Sequence, residues 1–202
     1  MGGHPGMFEP LKGGGAAVAL DDIEISILRS LAVQLLELIG PGAPEPAEDA
    51  DPLAALFAEG PSEPPSDPAL ARLFPDAYGG PSAEDEGADP AELKEWSAEF
   101  RRFTENDLRT RKREDALAVV RSLDALTPAG DGAAVLELTG ELPLRWLGAL
   151  NDLRLTIGAR LDIAEDEESA QLYRLPDDDP RKPMVMAYLW LGGLQETLIE
   201  TL

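Results

Sequence analysis

At 202 residues the chain suits one domain with a real core. Its 39 acidic and 17 basic residues leave a formal charge of −22, which repels nucleic acid and anionic membranes unless a local basic face overrides it. The sequence has no cysteine and one histidine, His4, so disulfides, thiolate zinc sites, cysteine nucleophiles and histidine triads are all excluded.

The first 15 residues are Gly-rich. "KGGG" at 12–15 lacks the closing Gly-Lys-Ser/Thr of a phosphate loop, so it reads as a flexible entry to a strand. "AAVAL" at 16–20 reads as that strand. A helix follows, with Asp21 and Glu24 spaced as a capping box and Gly40 and Pro41 as its stop. Its apolar face holds Leu28, Leu31, Leu35 and Leu38, widened by Ile27, Ala32 and Ile39.

Residues 41–66 and 79–88 are acidic, Pro-rich and Gly-rich, and are expected to be disordered loops. Between 41 and 92, 13 acidic residues stand against a single basic one, so much of the charge lies outside the core. Two Asp-Pro pairs open short helices, at 51–59 and from Asp67. A third, at Asp89 and Pro90, opens a long helix to about 126. "AAVLEL" at 133–138 reads as a strand beside 16–20, and "AQLYRL" at 170–175 as a third. Helices are expected from Pro143 to about 163 and over 182–201. Gly192 and Gly193 inside the last one suggest close approach of a neighbour. The expected fold is mainly α: a four-helix core in a single domain over 1–202, a small sheet of two or three short strands, and a disordered acidic insert.

The chemistry is sparse. "EDEE" at 165–168 lacks the alternating ligands and central glycine of a calcium loop, and no metal or cofactor site is expected. No run of apolar residues is long enough to span a membrane, and the N-terminus has no secretory pattern, so a cytoplasmic location is expected.

Two helices carry polar interruptions. In the first, Leu93, Trp96, Phe100 and Phe103 form an apolar stripe that continues into Asp107, Thr110 and Glu114. Residues 99–114 of the same helix hold six of the 17 basic residues: Arg101, Arg102, Arg109, Arg111, Lys112 and Arg113. In the second, Asn151, Asp152 and Arg154 interrupt the stripe of Leu147, Leu150, Ile157 and Leu161. Asp152 and Arg154 lie about 200° apart around a helix and cannot pair with each other. The expectation is that the two gaps meet, with Arg154 facing Asp107 or Glu99, Asp152 facing Arg102 or Arg109, and Asn151 bridging. Such a network fixes register more than it adds stability. The basic run is alternatively a DNA-binding surface, and the 151–154 locus a small-molecule sensor or active site.

"LFPDAY" (73–78), "EFRRFTENDLRTRK" (99–112), "LNDLRLTIGARL" (150–161) and "YLWLGGLQETL" (188–198) together resemble an actinobacterial family long catalogued as a domain of unknown function. Some of its members are described as oxidative-stress transcription regulators, the AosR family. The resemblance implies a non-enzymatic cytoplasmic regulator that works with an alternative sigma factor or RNA polymerase at stress and cysteine-biosynthesis promoters. It also implies a switch built on a cysteine pair, which this cysteine-free chain does not carry. No helix-turn-helix is recognisable, and the acidic charge suits a basic protein partner.

Overall fold

In a computed structural model of the chain, residues 6–41, 59–79, 89–126, 133–163 and 174–202 are described. Asp21 opens the first helix as expected: its carboxylate accepts from the Glu24 amide at 2.8 Å, and the Glu24 carboxylate accepts from the Asp21 amide at 2.9 Å. The helix α1 (Asp22–Ile39) buries Leu28, Ala32, Leu35 and Ile39 and stops at Gly40, whose φ is +80°. Leu31 and Leu38 are only partly buried, and Ile27 is exposed.

The sheet has the order β1 (Glu9–Pro10), β2 (Ala16–Leu20), β3 (Ala134–Leu138), both pairings antiparallel. Ala16 lies opposite Leu138, Val18 opposite Leu136 and Leu20 opposite Ala134, and all of these are buried. This period of two is what puts one face of the sheet on the core. Gly15 is required at the entry to β2: its φ is +98°, and an added Cβ would lie 2.2 Å from the Leu138 carbonyl oxygen. Among the described residues the third strand is Glu9–Pro10, on the edge where proline is tolerated, and most of the strand expected at 170–175 lies outside them. Arg174 lies in a turn, and 170–173 are outside the described residues. So are the helix expected at 51–59, apart from Glu59, most of the two acidic loops, and the acidic run at 165–168.

Asp67 and Asp89 cap α2 (Pro68–Leu73) and α3 (Pro90–Asp124), each accepting backbone N–H donors, with proline next in line. α4 (Leu142–Arg160) and α5 (Lys182–Ile199) complete the helices. α4 ends before residue 163, where Asp162 takes a left-handed φ of 57°. α1 packs on α3, α3 on α4, α4 on α5 and α2 on α4. The core joins these helices to the inner sheet face around Trp146, which is fully buried, stands edge-on to Phe8 at 6.1 Å and donates from Nε1 to Ser122 Oγ. Gly192 lies against Arg154, whereas an added Cβ at Gly193 would meet nothing within 4 Å, so only the first of the two glycines marks a close approach. No described helix is long and apolar enough to cross a membrane.

Candidate functional site

The long helix α3 is built in two ways. Over its N-terminal half the buried positions are Leu93, Ser97, Arg101 and Glu105, and over its C-terminal half Ala116, Val119 and Leu123. The aromatic stripe expected to form a seam faces outward instead: Trp96 is 46% exposed, Phe100 47% and Phe103 65%. Four-residue spacing sets which side chains share a face, but not which face turns inward.

The inward face is decided by what Arg101 and Ser97 find beneath them. Arg101 Nη1 donates to Glu105 Oε2 at 2.6 Å and to the Phe74 carbonyl at 3.0 Å, and Nη2 donates to Asp76 Oδ1 at 2.8 Å. Glu105 also accepts from Arg109 Nε at 2.9 Å, and the Arg109 guanidinium lies 4.5 Å from the centre of the Phe74 ring. Ser97 Oγ accepts from the Tyr78 amide and donates to its carbonyl, both at 3.0 Å. The segment 74–78 is thereby strapped along α3, and the Tyr78 ring stands edge-on to Trp96 at 6.1 Å and to Phe100 at 6.3 Å. Two of the sequence motifs, "LFPDAY" and "EFRRFTENDLRTRK", are the two sides of this one contact.

The basic run is largely engaged inside the molecule. Arg109 Nη1 donates to the Ile39 carbonyl at 2.6 Å, and Arg113 Nη1 donates to the carbonyls of Leu36 and Gly40. The Ile39 and Gly40 carbonyls lie at the open end of α1, while the Leu36 carbonyl also accepts from the Gly40 amide, and the last turn of α1 has no basic residue of its own. Arg102 pairs with Glu59, and the Arg102 carbonyl accepts from the Gly60 amide at 2.7 Å. Lys112 Nζ donates to Asp152 Oδ1 at 2.6 Å. Arg111 alone of the six is exposed and without an ion pair among the described residues.

The two polar gaps do not meet as expected; among the described residues a single ion pair, from Asp152 to Lys112, joins the two helices there. Asp152 pairs with Lys112, not with Arg102 or Arg109. Arg154 does not reach Asp107 or Glu99: it donates to Gln195 Oε1 at 2.6 Å and lies 5.1 Å from the Tyr188 ring centre on α5. Asn151 Oδ1 accepts from Gln195 Nε2 at 3.4 Å. Asp107 is exposed and makes no ion pair among the described residues.

The reason is register. α3 and α4 run antiparallel, so moving up α4 from Trp146 through Gly148 to Asp152 moves down α3 from Ser122 through Asp115 to Lys112. Arg154 lies beyond that line, on the side where α4 meets α5. Gly148 marks the closest approach, since a Cβ there would lie 2.6 Å from Asp115 Oδ2. Burial pushes the Asp152 carboxyl up from its ordinary pKa, against the pull of Lys112. Burial also raises Asp115, with Arg145 and Arg111 opposing.

Lys112, Gln195, Ser97 and Tyr78 are the contributors that sequence reasoning missed. Ser97, Arg101, Glu105 and Arg109 repeat every four residues, a signal present in the sequence but outweighed by the aromatic stripe. Arg154 also lines an open cleft of about 260 Å³ with Arg72, Gly158, Asp162 and Tyr188. That cleft adjoins the C-terminal end of α4 and includes a carboxylate, a setting that does not favour an anion. Among the described residues no group of three or more His, Cys, Asp or Glu side chains is placed to hold a metal ion.

A family model described as a domain of unknown function, DUF2017, matches residues 5–202. The chain belongs to the DUF2017 family. Among its relatives, a candidate oxidative stress regulator, AosR, of Mycobacterium leprae is 34% identical over 183 residues, which is 89% of this chain and 78% of that protein. Proteins named oxidative stress regulator AosR from Mycobacterium bovis and Mycobacterium tuberculosis are each 29% identical over 181 residues, again 89% of this chain and 78% of theirs. No solved structure matches. In this DUF2017 chain the match takes in the strapped aromatic face, the α3–α4 seam and the Arg154 cluster alike.

Proposed function

We propose that the chain is a non-enzymatic cytoplasmic regulator of the oxidative-stress response that acts by binding a protein of the transcription machinery, a sigma factor or a subunit of RNA polymerase. The regulatory part of this reading follows its AosR-named relatives. The observation that carries the mode of action is the outward aromatic face of α3. Trp96, Phe100 and Phe103 with Tyr78 place large apolar surface in water on a rigid support, the usual mark of a protein-binding site.

Direct DNA binding by the 101–113 run is the weaker reading, because Arg101 is buried and Arg102, Arg109, Lys112 and Arg113 are held by internal acceptors. With no cysteine in the sequence, an oxidant signal reaches this regulator through its partner rather than through a disulfide of its own.

The test is affinity purification of the full chain from its native cell at low salt, before and after oxidant, with partners identified by mass spectrometry. A sigma factor or polymerase subunit is expected in the eluate. Its absence under both conditions sinks the proposal.

A further inference from the structure

On the outward side of α3 the residues at three- and four-residue steps are Glu92, Trp96, Glu99 with Phe100, Phe103 and Asp107. All are exposed. The face therefore alternates carboxylates with aromatic rings over about four helical turns, roughly 22 Å. Glu95 adds a further exposed carboxylate beside it. Of the nearby cations, Arg102 is engaged by Glu59, which leaves Lys94 as the one lacking an ion pair among the described residues within this stretch.

The support below is rigid, because Arg101 and Glu105 are buried and mutually paired, and Ser97 pins Tyr78 at both its amide and its carbonyl. A preorganised aromatic surface loses little entropy when it is covered. A second copy of this chain would set carboxylate against carboxylate, and nucleic acid would set phosphate against carboxylate. The chemistry that complements the stripe on both counts is a helix with apolar residues along one side and lysine or arginine flanking them. Its cations would meet Glu92, Glu99 and Asp107 and lie over the Trp96 ring.

We infer that this face of α3 receives a basic amphipathic helix presented by a protein partner. The inference rests on the reading that the chain acts through a protein partner, and it names the place and chemistry of that contact.

The probe is a synthetic amphipathic lysine–leucine peptide of about five helical turns, with a glutamate–leucine peptide of the same apolar pattern as its control. Both are titrated into the full chain while tryptophan emission is followed. Trp96 is the exposed reporter, since Trp146 is fully buried and Trp190 is partly buried against the core, and Trp96→Phe separates its share of the signal from theirs. The expected result is a saturable blue shift with the lysine peptide alone, weakened at least about tenfold by high salt.

Phe100→Ser with Phe103→Ser, which removes ring surface and leaves the charge unchanged, is expected to weaken binding at least tenfold at an unchanged unfolding midpoint. Glu99→Lys with Asp107→Lys should shift preference toward the glutamate peptide, and this second variant keeps the test decisive if the first folds poorly. Equal binding of both peptides, binding untouched by either variant, or a dimer of the chain that the serine variant dissolves would each overturn the inference. A polymerase component that binds the serine variant as well as the parent refutes this face but leaves the proposed function standing. Peptide binding as expected with no polymerase component captured does the reverse.

Discussion

The two halves of α3 solve the same burial problem with opposite chemistry. Toward the C-terminus, Ala116, Val119 and Leu123 face the core and the helix follows the ordinary rule. Toward the N-terminus, an arginine and a glutamate are buried at 4% and 2% exposure while the aromatic residues stand in water. The contrast teaches that a polar face can be the inner one where every charge has a waiting partner. Here Asp76, the Phe74 carbonyl and Arg109 supply those partners. A buried pair of this kind adds little net stability over a packed apolar pair, but cutting one member leaves a charge in a poorly solvated site.

That contrast can be broken at several points. The largest effect is expected for Arg101→Met, at about 3–5 kcal/mol of stability lost, since Glu105 keeps its charge with half its support gone. Adding Glu105→Leu to that variant should recover much of the loss, because Arg109 retains the Ile39 carbonyl and Asp76 is half exposed. Urea unfolding of the parent, the single and the double variant reads both numbers, and a double variant less stable than the single would refute the account.

In the other half, Leu123→Ala should cost about 2–4 kcal/mol by lost burial and a residual cavity. Recovery by a partner change is not expected there.

Gly148→Ala lies at the α3–α4 seam and should lose no more than about 1 kcal/mol, since the Asp115 carboxylate must turn aside while alanine has the better helix propensity. Asp115→Ala in the same chain should remove that loss, and thermal denaturation of the two variants checks it.

Smaller again is a pH effect. The folded-state pKa of Asp115 lies above its ordinary value, so this group favours folding most when protonated. Its contribution to stability is present below the ordinary carboxylate range and is lost as pH rises from that range through the raised value. Asp115→Asn should therefore flatten the parent's decline in urea midpoint as pH rises above the ordinary carboxylate range. Identical pH profiles would contradict the burial of this carboxyl.

The smallest change is expected at Phe103→Ala, within about 0.5 kcal/mol of the parent, because an exposed ring stabilises little. A large loss there would mean the ring is part of the core after all.

Much of the architecture was legible because it is local. Asp21 with Glu24, Asp67 with Pro68 and Asp89 with Pro90 start helices through contacts made within three residues. The alternation in 16–20 and 134–138 likewise sets the inner sheet face. The inversion of α3 was not legible, because it depends on Arg101 meeting Phe74 and Asp76, some 25 residues away in sequence. Asp152 was rightly seen to need a partner on the long helix, but choosing Lys112 over Arg102 or Arg109 needs the antiparallel register of two helices. That register is set by Trp146 on Ser122 and by Gly148 on Asp115, which no periodicity encodes.

The end of α1 carries a consequence for the order in which the chain folds. Its first turn is capped by contacts within four residues, Asp21 with Glu24, whereas the carbonyls of Ile39 and Gly40 are met by Arg109 and Arg113, about 70 positions later. One end of the helix is thus completed locally and the other only when α3 docks. Amide exchange should follow the same polarity, with protection of the last turn tracking the docking of α3 and vanishing with it.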